Sequence, residues 1–188
     1  MDKDRKTLIA DAAIALLASA GAKGLTHRAV DAEAGLPVGS TSFYCRTRAD
    51  LLTLTLLRHA ALDMEDLLAD QARMEAAGFS LDDFIELLAD RVADWLSPAK
   101  RARLVARFEL FLIASREPEL ATIATQQRQR FRLATEAALT RAGVADAAAA
   151  APLLLVTVDG LLIDQIGASG PGPTRDRQKA MFRMVLGL

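Results

Sequence analysis

Apolar side chains recur every three or four residues along most of the chain, and no stretch alternates with period two, so the expected class is all-α. Ile9, Ala13, Leu16, Leu17 and Ala20 share one face and predict a first helix over about 3–20, which Gly21 closes as a left-handed cap. Thr26 caps a two-turn helix that turns Ala29, Val30 and Ala34 inward and ends at Gly35. Pro37 opens a further short helix through Tyr44, since proline lacks the N–H that a first turn leaves unpaired. Thr47 with Asp50 three residues on forms a capping box before a long fourth helix that Gly78 closes.

The punctuation then repeats. Ser80 with Asp83 starts a fifth helix to about Leu96, Ser97-Pro98 starts a sixth, and Glu117-Pro118 separates it from a seventh that ends at Gly143. The alanine run 147–151 belongs to the start of an eighth helix with a kink expected at Pro152, "GASGPGPT" reads as a loop, and a ninth helix follows from about Thr174. There is no internal repeat.

Two consecutive short helices between long ones raise a question of purpose. In a helix-turn-helix the second helix enters the DNA major groove while the first braces it, so the second is short and exposed. Gly39, Ser40 and Ser42 are small enough for close backbone approach. The hydroxyls of Ser40, Thr41, Ser42 and Tyr44 offer hydrogen bonds, and Val38 and Phe43 suit thymine methyls.

Composition constrains the rest. The 188 residues carry a net charge of −1, so any grip on phosphates depends on local geometry. Lys3, Arg5, Lys6, Lys23, Arg28, Arg46 and Arg48 outnumber the six carboxylates of the first 50 residues by one. The single cysteine, Cys45, excludes an internal disulfide and a cysteine zinc site and suits a reducing compartment, so a cytoplasmic location is expected. The N-terminus is too charged and too amphipathic for a signal peptide, and "APLLLVTVDGLLIDQIGA" is short for a span and carries Asp159 and Asp164, so no membrane partner is expected.

The amphipathic first helix, "GLTHRAVDAEAGLPVGSTSFYCRTRADLL" and the long helix after it resemble the N-terminal DNA-binding domain of tetracycline-repressor (TetR) family transcription regulators over residues 5–57. The matching positions are Thr26, Ala34-Gly35, Gly39, Tyr44 and Arg48. The resemblance implies that Thr26, Arg28, Tyr44 and Arg48 hold phosphates, helped by helix N-termini, while Val38, Ser40, Ser42 and Phe43 face bases. His27 is read as DNA-proximal or solvated. Three residues depart from the family pattern: Cys45 replaces an aromatic, Val38 a common lysine, and Asp31 a small apolar residue. Cys45 leaves a smaller wedge, Val38 shifts affinity toward Arg28, Arg46 and Arg48, and Asp31 is expected to pair with Arg28 or an arginine of the next turn.

The implied plan is a three-helix head over residues 1–46 and a C-terminal helical domain over 47–188 that binds a small hydrophobic or amphipathic effector and forms a homodimer. Phe84, Leu88, Trp95, Phe108, Phe111, Leu112 and Phe131 are candidate pocket residues, joined by the polar Arg107 and Asp159 among apolar neighbours. For Asp159 a structural ion pair is the favoured reading. Residues 152–168 are apolar nearly all round, which suggests an interface. Leu154, Val158, Leu161, Leu162 and Gln165, with Met181, Phe182 and Val185 of the last helix, are the candidate contacts.

The function expected is ligand-responsive repression at a palindromic double-stranded DNA operator. The alternative is a helical protein-interaction module with a degenerate head. An enzyme finds little support: His27 and His59 are the only histidines, lie 32 residues apart and form no HExxH pattern, and GxSxG is absent. No metal or cofactor is expected.

Overall fold

The computed structural model describes residues 2–75, 79–167, 170 and 172–188. Among these, regular structure is wholly helical: α1 (Asp2–Gly24), α2 (His27–Glu33), α3 (Ser40–Tyr44), α4 (Arg48–Met74), α5 (Leu81–Trp95), a 3-10 turn at Pro98–Lys100, α6 (Arg101–Ala114), α7 (Pro118–Arg141), α8 (Ala147–Gly167) and α9 (Arg175–Val185). The expected end of the fourth helix at Gly78 lies outside the described residues, as do Ala168, Ser169 and Pro171 of the expected loop.

The chain divides into two compact units, residues 1–63 with 101–127, and residues 64–100 with 128–188. The first unit is built around Ile9, Ala13 and Leu17 of α1, Leu51, Leu52 and Leu56 of α4, and Ala106 and Leu110 of α6. Leu25 and Val30 join the same core, which packs the short helices onto it. Gly21 takes φ 62° and ψ −170°, so the regular helix breaks there and only one further turn runs on to Gly24. Where α4 meets α6, His59 is buried: its Nε2 donates to the Arg103 carbonyl at 3.0 Å and its Nδ1 faces Asp63 at 3.5 Å. Asp63 is also paired with Arg107 at 2.5 Å and Arg103 at 3.4 Å. Burial pushes the His59 pKa down and Arg107 acts in the same direction, against the opposing pull of Asp63.

In the second unit, α5 starts at the expected capping box of Ser80 and Asp83. Asp146 Oδ1 accepts from the Ala149 amide at 3.1 Å and caps α8, which continues through Pro152 as one helix. An ionic ladder joins α5 to α9: Asp82 meets Arg183 at 2.6 Å, Glu86 meets Lys179 at 2.8 Å, and Arg175 reaches Glu86 at 2.8 Å and Asp90 at 2.7 Å. Phe182 of α9 is completely buried. Two helical stretches, Asp4–Gly24 and Ala147–Gly167, are long and apolar enough to cross a membrane, but each contributes buried side chains to its own unit.

Candidate nucleic-acid interface and ligand cavity

In the first unit, Thr26 accepts from the Ala29 amide at 3.1 Å and starts α2. The third helix is shorter than the Pro37–Tyr44 expectation because Gly39 adopts φ 93°, a left-handed conformation that a right-handed helix excludes. Helix α3 therefore begins at Ser40, with Ser40 Oγ donating to the Pro37 carbonyl at 2.6 Å.

Asp31 supplies the missing cap. Its carboxylate accepts from the Gly39 amide at 2.7 Å, the Thr41 amide at 2.7 Å and the Thr41 hydroxyl at 2.6 Å. Burial alone would raise its pKa, but these three donors outweigh burial and hold the carboxyl below the ordinary aspartate value. The expected pairing of Asp31 with an arginine thus gives way to a bridge between α2 and the first turn of α3. A second bridge runs from His27, whose Nε2 donates to the Cys45 carbonyl at 2.8 Å. Cys45 is buried beneath α3, and burial raises its thiol pKa.

Pinned from behind, α3 turns its remaining side chains outward. Val38 is 84% exposed and Phe43 78% exposed, and the Phe43 ring meets Tyr44 edge-on at 5.1 Å. Gly39, Ser42, Arg28 and Arg46 are exposed, while Ser40 and Tyr44 are half-buried. The Arg48 guanidinium donates to the Leu25 carbonyl at 2.6 Å and the Ala22 carbonyl at 2.7 Å, tying the start of α4 to the α1–α2 junction.

The second unit holds a cavity of about 190 Å³. Four of the residues expected there line it, Phe84, Leu88, Trp95 and Phe131, and the rings of Trp95 and Phe131 lie 6.2 Å apart. Arg107, Phe108, Phe111 and Leu112 belong to the first unit instead. Asp159 is not in the lining; it lies 3.5 Å from Arg128 as an ion pair. Met64, Leu67, Leu68 and Met74 of α4 continue the apolar wall, together with Leu87 of α5 and Leu154, Leu155 and Val158 of α8.

Sequence reasoning missed the polar wall. Asp70 accepts from Arg91 Nε at 2.8 Å and Nη2 at 2.7 Å. Behind this pair, Arg91 also meets Asp94 at 2.6 Å, Lys100 joins Asp66 at 2.9 Å and Asp94 at 2.5 Å, and the Trp95 indole N–H donates to Asp66 at 2.8 Å. Burial works against the Arg91 charge, but its carboxylate partners prevail and raise its pKa. The signal available in the sequence was Asp66 and Asp70 one turn apart on a helix otherwise rich in leucine.

The candidate interface residues divide. Leu154, Val158, Leu161, Leu162 and Phe182 are core side chains of the second unit, and Gln165, Met181 and Val185 are half-buried. The large apolar side chains that α8 leaves exposed are Leu153, Val156 and Ile163, and on α9 Met184. Among the described residues no group of three or more His, Cys, Asp or Glu is arranged to hold a metal ion.

A family profile described as the tetracyclin repressor-like C-terminal domain matches residues 80–188. The fold is similar to that of a TetR-family member from Streptomyces coelicolor A3, with 25% identity, 96% of this chain and 97% of that chain covered, and a TM-score of 0.77. It is also similar to the multidrug binding protein EbrR complexed with ethidium, at 25% identity, 98% and 99% coverage and a TM-score of 0.74. A transcriptional regulator from Rhodococcus sp. Rha1 shares the fold at 24% identity, 97% and 94% coverage and a TM-score of 0.77. No curated protein sequence gives a significant match.

Proposed function

This chain belongs to the tetracycline-repressor family of DNA-binding transcriptional regulators, which are not enzymes, and from that membership we propose that it is a cytoplasmic repressor released from a palindromic operator by a small aromatic or amphipathic ligand. The observation that carries the reading is the α3 surface. Val38, in the turn before α3, and Phe43, on α3, are large apolar side chains held in solvent on a segment that Asp31 fixes from behind. Such exposure costs solvation free energy and is rational when base edges and thymine methyls cover it. Val38, Gly39, Ser40, Ser42 and Phe43 face the bases, and Thr26, His27, Arg28, Tyr44 and Arg46 lie toward phosphates. Arg48 acts on the backbone that positions them, through its two carbonyl bonds.

A homodimer presents two such helices to successive major grooves, roughly 34–36 Å apart. Leu153, Val156, Gly160 and Ile163 form one exposed stripe on α8 at helical spacing, and it is the proposed contact between copies. The ligand occupies the cavity lined by Phe84, Leu88, Trp95 and Phe131. The aromatic ligands found in complex with EbrR, ethidium and malachite green, support a ligand of that character. Helix α4 is continuous from Arg48 to Met74, and its C-terminal part lines the cavity with Met64, Leu67 and Asp70. A coupling of about 1–3 kcal/mol between ligand and operator changes affinity about 5- to 150-fold.

The test is fluorescence anisotropy with DNA flanking the protein's own gene, across a salt series and with nonspecific competitor. Saturable binding of a dimer to one palindromic fragment is expected, and Phe43→Ala is expected to relax discrimination at one base position. Equal binding to all fragments, or to none, would favour an interaction module instead.

A further inference from the structure

Side chains that tell one base from another in the major groove mostly do so with paired hydrogen bonds: Arg or Lys to guanine, Asn or Gln to adenine, with Asp or Glu accepting from cytosine. The segment that α3 presents has none of them. From Ala34 to Cys45 no residue carries a charge, an amide or an imidazole. The flanking cations, Arg28 on α2 and Arg46 after α3, are exposed and in the proposed docking turn toward phosphates.

The hydroxyls of α3 do not fill the gap. Thr41 is buried and donates its hydroxyl proton to Asp31 at 2.6 Å. Ser40 is half-buried and donates to the Pro37 carbonyl at 2.6 Å, and Tyr44 is half-buried with its ring against Phe43. Ser42 is exposed, but a lone hydroxyl pairs with donor and acceptor edges alike and so discriminates weakly.

What the segment does offer is Val38 and Phe43, both exposed. The backbone between them is held by Asp31 through the Gly39 and Thr41 amides at 2.7 Å each, and Gly39 adds no side chain of its own. The apolar group that a base pair shows in the major groove is the C5-methyl of thymine. We propose that α3 discriminates bases through this methyl: Val38 and Phe43 each cover a pyrimidine C5-methyl in the operator half-site. Thymine is then selected by its methyl and not by its hydrogen-bonding edge. 5-Methylcytosine, with a methyl at the same ring position, substitutes for it in part. The inference rests on the reading of α3 as the element that enters the major groove.

The experiment selects duplexes bound by the full chain from a random-sequence DNA pool. Thymines of a selected duplex are then replaced one at a time by deoxyuridine, which removes the methyl and keeps every hydrogen-bonding group. Burying one such group is worth about fourfold in affinity. Each half-site is expected to contain two thymines at which deoxyuridine weakens binding about fourfold in anisotropy titrations. One loses its sensitivity in Phe43→Ala, and the other in Val38→Ala. Both side chains are exposed, so both variants are expected to keep the wild-type unfolding midpoint. At either position a cytosine–guanine pair binds weakly, and methylating that cytosine at C5 is expected to recover part of the loss. Changes below twofold at every thymine overturn the proposal. So does a sensitivity that neither variant removes, which belongs to duplex deformability, or a 5-methylcytosine that binds no better than cytosine. A pool that yields no enriched sequence overturns the operator reading and the proposal with it, whereas an enriched sequence indifferent to the methyl overturns the proposal alone.

Discussion

Asp31→Ala removes the cap on α3, and its cost follows from the three bonds the carboxylate accepts. The Thr41 amide and hydroxyl belong to a residue with 0% exposure, so water does not replace the lost acceptor. A buried group left unsatisfied costs about 1–3 kcal/mol, and loss of a helix cap by itself about 0.5–2 kcal/mol. The Gly39 amide is on an exposed residue and recovers a water, so it adds little. The expected loss is about 2–4 kcal/mol, a large part of a typical total of about 5–15 kcal/mol. A five-residue helix also cannot persist without tertiary support, so operator affinity falls further than the fraction unfolded explains.

Urea unfolding gives the first quantity, anisotropy the second, and amide exchange at Thr41 locates the damage. The pH dependence supplies a sign. The folded-state pKa of Asp31 is depressed, so its contribution is complete above the unfolded value of about 4 and disappears as pH falls through the lower folded value. The gap between wild type and Asp31→Ala is thus expected to be constant at neutral pH and to close only in acid below about pH 4. A variant within about 0.5 kcal/mol of wild type, with the Thr41 amide still protected, would refute the capping argument.

Three further outcomes are expected. Arg28→Ala is expected to reduce the slope of log affinity against log salt by about one with the unfolding midpoint unchanged, whereas Arg48→Ala lowers the midpoint, because its guanidinium holds the Ala22 and Leu25 carbonyls; paired measurements of both variants check this. Val156→Asp places a charge on the exposed α8 stripe and is expected to convert dimer to monomer in sedimentation with little change in far-UV circular dichroism. His59 is buried with a depressed pKa, so stability is expected to fall as pH drops below the ordinary histidine value of about 6.5; thermal melts from pH 7.5 to 5.5 are expected to show a decline that His59→Gln flattens.

Helix starts were legible in the sequence because a cap involves residues within one turn: Thr26, the Ser80–Asp83 pair and Thr174 all sit where the pattern places them. The role of Asp31 was not, because its partners lie eight and ten residues on and reach it only through the left-handed turn at Gly39. The cavity was half legible for a similar reason. Periodicity marks Phe108 and Phe84 alike as inward-facing, but not which core each enters, and the chain divides them between units. On α8 an almost uniformly apolar sequence offers no face to choose. Packing makes the choice: Leu154, Val158, Leu161 and Leu162 turn inward, and Leu153, Val156 and Ile163 turn out.

The ladder between α5 and α9 has evenly spaced rungs, with acids at positions 82, 86 and 90 and bases at positions 175, 179 and 183. An evenly spaced ladder is degenerate: sliding α9 by one helical turn, about 5.4 Å, pairs each remaining acid with the next base and forfeits only a rung. Arg175 already straddles two adjacent acids, Glu86 and Asp90. The charges therefore fix the antiparallel sense of the two helices but not their phase. The phase is set by Phe182, the fully buried ring of α9, which acts as a detent in an otherwise sliding contact.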